Sequence, residues 1–151
     1  MINIYSPATG SIMKLRDIPD EMFSSEMMGP GLAIILDMSD FSIYSPIDSE
    51  TSAIYPTGHA VALSLGKEHE LLLHVGLESF RNKDLINKFI INNQKVELFQ
   101  KILEINSDKM GPSDNIIIIT IPNLKPNRIE YIDEIKVQAK KSIIMRINID
   151  V

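Results

Sequence analysis

The chain is a succession of short β-prone runs cut apart by glycine and proline. Apolar or alternating segments occur at Ser11–Leu15, Gly31–Leu36, Phe41–Ile43, Ser52–Tyr55, Ala60–Leu65, Leu71–Val75, Lys95–Leu98, Lys101–Ile105, Ile116–Ile121 and Ser142–Ile149. Between them lie turn formers such as Gly29-Pro30-Gly31, Ser45-Pro46, Pro56-Thr57-Gly58, Gly66, Gly111-Pro112 and Pro122-Asn123. Many short strands with turn signals between them specify an antiparallel all-β sandwich or barrel. Helical periodicity is confined to Pro19–Met28 and Pro126–Lys141, where Ile129, Ile132 and Ile135 recur at helical spacing, while Asn82–Ile91 is ambiguous, its Asp84, Leu85, Ile86 and Phe89 fitting a short helix. The expectation is therefore one to three short helical turns. Ile116–Ile121 is β-branched, uncharged and free of proline, so it is expected to be buried.

The 151 residues suit one domain, 1–151. With no cysteine, the chain has no disulfide, thiolate metal site or thiol nucleophile. Its net charge of −5 provides no electrostatic footprint for nucleic acid. The N-terminal residues lack the charged and apolar regions of a secretory signal. The longest strongly apolar run is far short of the ~20 residues of a membrane-spanning helix. These features predict a soluble cytoplasmic protein, a monomer by default, that reaches a membrane only through a partner.

The most informative stretch runs from Tyr55 to Gly76. Two apolar runs flank a polar segment containing Gly66, which reads as a β-hairpin. A two-residue turn at Gly66-Lys67 sets Leu65 opposite Glu68 and His59 opposite His74. Directly opposed residues share a face with Cβ atoms about 4.5–5.5 Å apart. Gly58 and Gly76 are expected to let a bulky group approach the imidazoles. Two protonated imidazoles ~4 Å apart repel by about 4 kcal/mol at an effective dielectric of ~20, so the pair holds at most one proton. One neutral ring can then attack phosphorus while the other donates N–H to a phosphoryl oxygen. Thr57, two residues before His59, is placed to hydrogen-bond that ring and fix its tautomer. A strand histidine is ordinarily structural, and hairpin spacing alone leaves the catalytic and structural roles both open. Zinc is a third reading, but two histidines leave its coordination incomplete. His69, between Glu68 and Glu70, reads as a solvated loop residue.

Around the histidines the chain resembles the glucose-type enzyme IIA domain of the phosphoenolpyruvate-dependent sugar phosphotransferase system. The resemblance rests on Ser6-Pro-Ala-Thr-Gly10, Ile18-Pro-Asp-Glu-Met-Phe23, Met27-Met-Gly-Pro-Gly-Leu-Ala-Ile34, Ser45-Pro-Ile-Asp48, Pro56-Thr-Gly-His-Ala60 and Leu72-Leu-His-Val-Gly76. These occur in the family's order with similar spacing and cover about residues 5–80. The resemblance implies a compact antiparallel β-sandwich, or barrel-sandwich hybrid. It implies that His74 takes phosphate from the small carrier protein HPr and passes it to a cysteine on the IIB domain of a sugar permease. His59 corresponds to the family's second active-site histidine and Thr57 to the threonine that orients it. Met22, Phe23, Met27 and Met28 match a partner-docking patch, suited to thioether side chains that repack easily. Tyr55 and Leu72 complete its apolar rim. Glu78 stands where the family usually has Asp, placed to meet a basic carrier surface.

The implied cofactor requirement is none beyond a transient phosphohistidine; adventitious or partner-shared zinc at His59 and His74 is compatible with the pair. The segment from Arg81 replaces a Gly-rich stretch of the family, and the match fades after Ile121. Two alternatives stand beside the carrier: a regulatory binding module of the same fold, and a metal-binding or structural β-domain.

Overall fold

The computed structural model describes residues 1–150. In chain order the strands are β1 (Ile2–Tyr5), β2 (Gly10–Lys14), β3 (Gly31–Leu36), β4 (Ser42–Tyr44), β5 (Ser49–Ile54), β6 (Ala60–Leu65) and β7 (His69–Val75). They continue with β8 (Ile86–Lys88), β9 (Lys95–Val96), β10 (Lys101–Ile105), β11 (Ile116–Thr120), β12 (Ile129–Tyr131), β13 (Lys136–Val137) and β14 (Ile143–Ile147). The largest sheet has the order β13-β2-β3-β11-β7-β6-β5-β9, and two small sheets run β1-β14-β12 and β4-β10-β8. Neighbouring strands are antiparallel throughout. The all-β antiparallel sandwich anticipated from the turn pattern is the architecture found.

Alternation along the central strands divides the interior in two. In β7, Leu71, Leu73 and Val75 enter the main core, while Glu70, Leu72 and His74 point to the other face. In β11, Ile117 and Ile119 join that main core, whereas Ile116 and Ile118 enter a second cluster with Leu15, Ile18, Phe23 and Ala33. β11 therefore buries both faces, which explains its unbroken isoleucine run, and Ile116 through Ile121 are all buried. Full burial of each such side chain contributes about 1.5–3 kcal/mol relative to exposure.

The second cluster is roofed by the segment after β2. A 3₁₀ turn at Leu15–Asp17 leads into the single-turn helix α1 (Glu21–Ser24). Asp20 caps α1 by accepting from the Met22 N–H at 3.0 Å, and Phe23 drops from the helix into the cluster. Further 3₁₀ turns occupy Ser79–Arg81, Ser107–Lys109 and Pro126–Arg128. The one α-helical and four 3₁₀ turns exceed the one to three expected.

The structure corrects or settles four sequence expectations. Pro126–Lys141 contains one 3₁₀ turn followed by β12 and β13, and its helically spaced isoleucines do not share a buried face: Ile129 packs on the main core while Ile135 is 77 % exposed. Asn82–Ile91 yields β8, an edge strand beside β10. The β6–β7 hairpin has a three-residue loop, Gly66-Lys67-Glu68, with Gly66 at φ +63°. Leu65 therefore faces His69, and His74 faces Ala60 instead of His59. His69 opens β7 and is partly buried, with its Nδ1 enclosed and unpaired, instead of lying free in a loop.

Candidate active site

The one-residue change in register should send His59 to the opposite face from His74. The chain avoids this because the regular ladder begins only at Ala60. Just before it, Gly58 adopts φ +76°, a left-handed conformation that a side chain disfavours. His59 still joins the sheet through its carbonyl, which accepts from the Val75 N–H at 2.8 Å. Its side chain, released from strict alternation, lies within electrostatic reach of His74. Gly58 and Gly76 do not simply open space for a ligand. A Cβ at Gly58 would meet Ile86 Cγ2 at 2.9 Å, and one at Gly76 would meet Asp114 Oδ1 at 2.9 Å. Both glycines serve positive-φ turns packed against neighbouring elements.

His74 sits where the second cluster reaches the surface. Ile118 is its partner on β11 and Ala60 its partner on β6. The Phe23 ring meets the imidazole edge-on, with centroids 5.1 Å apart. Nδ1 of His74 is buried and has no hydrogen-bond partner. Burial, and secondarily the charge His59 can carry, push the His74 pKa down to about 4. The ring is therefore neutral at pH 7, as a nitrogen nucleophile requires.

His59 is held on several sides. The Thr57 side-chain hydroxyl is hydrogen-bonded to Nδ1, leaving Nε2 for other partners. Tyr55 stacks on the imidazole at 4.9 Å and 25° between planes. Phe80 lies 6.0 Å away, tilted by 54°. Burial lowers the His59 pKa as well.

A groove of about 380 Å³ runs from His74 along the same sheet face. Its lining includes Ala53, Ala60 and Ala62, with Met28, Tyr55 and Leu72. Of the other docking candidates, Met22 and Met27 are exposed, as is Glu78. Phe23 differs: at 7 % exposure it belongs to the packing beneath His74 and presents almost no surface. Among the described residues, no group of three or more His, Cys, Asp or Glu side chains is placed to hold a metal ion.

Sequence reasoning passed over Phe80 and the alanines of the groove. Alternating Ala60 and Ala62 in β6 were the signal for a shallow floor, and an aromatic in the polar segment after Gly76 was the signal for a contact.

Fold and site together define a class: a small antiparallel β-domain built around a pair of neutral imidazoles beside an apolar groove. Residues 2–126 match the family described as phosphoenolpyruvate-dependent sugar phosphotransferase system, EIIA 1, and the chain belongs to that family. It is 31% identical over 147 residues to the PTS system glucose-specific EIICBA component of Staphylococcus saprophyticus, covering 95% of this chain and 21% of that protein. Over 78 residues it is 41% identical to the PTS system glucose-specific EIIA component of Staphylococcus epidermidis, 52% of this chain and 46% of that one. The chain thus spans about a fifth of the first relative's length and under half of the second's. The solved glucose permease IIA of Mycoplasma capricolum has the same fold, with a TM-score of 0.85 at 23% identity over 95% of this chain and 94% of that one. No helix among the described residues is long and apolar enough to cross a membrane.

Proposed function

We propose that this EIIA domain carries phosphate on His74 between phospho-HPr and the IIB domain of a sugar permease. The observation that carries the reading is a neutral imidazole, half-buried at the rim of an apolar groove, with a second imidazole beside it. Because Nδ1 of His74 is buried, Nε2 is the nitrogen available to a reactant. In the step, the Nε2 lone pair attacks phosphorus, an N–P bond forms, and the donor's N–P bond breaks with its pair returning to the donor ring. The His74 proton stays on Nδ1. With the Thr57 hydroxyl donating to His59 Nδ1, His59 Nε2 bears a proton and donates it as a hydrogen bond to a phosphoryl oxygen. Onward transfer reverses the attack, the phosphoryl group leaving for a IIB cysteine thiolate and the pair returning to His74 Nε2.

Exposed Met22 and Met27, with Met28, Tyr55 and Leu72 along the groove, form the docking rim, and Glu78 meets basic donor surface. All the proposed reacting groups of this domain lie in one chain, which fits action as a monomer. The relatives named EIICBA support a IIB and permease partner, and hence a cytoplasmic setting peripheral to the membrane. No feature of the site favours a purely regulatory binding module.

The test is incubation with phosphoenolpyruvate, enzyme I and HPr. Acid-labile, base-stable phosphate should appear on the chain and vanish in His74→Ala. His59→Gln should accept phosphate and pass it on poorly. Labelling of His74→Ala, or no labelling of the wild type by any competent HPr, overturns the proposal.

A further inference from the structure

Phe80 is half exposed, yet it is not a free surface residue. It rides on the 3₁₀ turn Ser79–Arg81, which follows the left-handed turn at Gly76. Ser79 is buried, and its hydroxyl donates to the carbonyl of Val75, the last residue of β7. The turn is thereby tied to the strand that carries His74. From it the Phe80 ring reaches across to His59, at 6.0 Å between centroids. The Arg81 guanidinium lies 5.4 Å from the Phe80 centroid and restrains the ring further. Tyr55 stacks on His59, and among the described residues Tyr55 and Phe80 form no ring pair with each other. The His59 imidazole thus has three restraints: Thr57 at Nδ1, Tyr55 stacked on it and Phe80 against it. The first two come from the His59 segment itself. Phe80 alone of the three is anchored to the His74 strand.

We infer that Phe80 is a positioning residue for phosphoryl transfer, coupling the His59 ring to the strand that carries His74. The inference rests on the proposed action of His59 with His74. Its consequence follows from the geometric demand of group transfer, in which a misplacement of about 1 Å costs about 100-fold in rate. Without the Phe80 ring, His59 keeps its Thr57 bond but turns more freely about its side-chain torsions. Its Nε2–H then spends less time on the phosphoryl oxygen. Losing the ring also exposes His59 to water and relaxes the burial that lowers its pKa.

The experiment measures phosphate transfer from the phosphorylated chain to a IIB domain for Phe80→Ala and Phe80→Leu, in wild-type and His59→Gln backgrounds. Imidazole NMR follows the His59 titration in parallel. Phe80→Ala should slow transfer at saturating acceptor about 10- to 100-fold, with the half-saturating acceptor concentration little changed. Phe80→Leu should restore most of the rate. In the His59→Gln background, Phe80→Ala should add no further loss, and in the wild-type background it should raise the His59 pKa. An equal loss in both backgrounds, or an effect confined to half-saturation, would make Phe80 a docking residue and overturn the inference. So would an unmoved His59 titration. If the wild-type chain takes no phosphate, the carrier reading fails instead, while the NMR titration still decides whether Phe80 holds the ring.

Discussion

Lowering the pH from 7 to 4 should destabilise this protein through His74 specifically. In the unfolded chain a histidine titrates near 6.5, whereas folded His74 resists protonation until about pH 4. Between those values the unfolded state binds more protons, so stability falls as pH falls. The loss begins near 6.5 and is complete below about 4. At 1.36 kcal/mol per pKa unit, the difference amounts to about 3 kcal/mol, a large part of a domain's ordinary 5–15 kcal/mol. The assay is urea denaturation at pH 7 and pH 4 for wild type and His74→Asn, with imidazole NMR reading the His74 midpoint directly. The variant keeps the other titrating groups, so the difference between the two proteins isolates His74. His59→Gln should raise the His74 midpoint only part of the way to 6.5, because burial is the larger cause and the His59 charge the smaller. A wild-type His74 midpoint near 6.5, or equal acid sensitivity in His74→Asn, would refute the reasoning. The same low midpoint keeps the His74 ring neutral throughout pH 5–8, as the proposed attack on phosphorus requires.

Other perturbations separate support from chemistry. Thr57→Val removes one hydrogen bond to His59, worth about 1 kcal/mol, and should slow onward phosphate transfer about fivefold with the melting temperature nearly unchanged. Ile118→Ala opens a cavity under His74 and should cost about 2–5 kcal/mol in denaturant unfolding, a loss that a conservative Val replacement largely avoids. Met27 is 73 % exposed. Met27→Ala should therefore leave stability within about 0.5 kcal/mol and raise the half-saturating concentration of a partner in transfer assays; an unchanged value would remove it from the docking rim.

How much of this was legible in the sequence depended on how local the determinant was. Ile116–Ile121 declared its burial because a strand covered on both faces has no polar alternation to show. The pattern over Pro19–Met28 signalled a helical turn, but not that Phe23 would turn inward into the cluster with Ile18 and Ile118. The hairpin was evident and its register was not. Gly66 is compatible with a two- or a three-residue loop, and one extra residue moves the partner of His74 from His59 to Ala60. The histidines still meet because the positive-φ turn at Gly58 ends the alternation just before His59, a compensation no spacing rule contains. Ile129, Ile132 and Ile135 imitated a helix, while long-range pairing with β14 decided the outcome at Ile129. Phe80 was missed because its target, His59, lies in another loop that is distant in sequence and is brought beside it only by the fold.

The most direct test of the central claim is to phosphorylate the isotope-labelled chain with phosphoenolpyruvate, enzyme I and HPr, and to locate the N–P bond by nitrogen and phosphorus NMR. The buried Nδ1 and neutral ring of His74 predict a single phosphoramidate at His74 Nε2. A phosphoryl group on His59, on His74 Nδ1, or on neither histidine would contradict it.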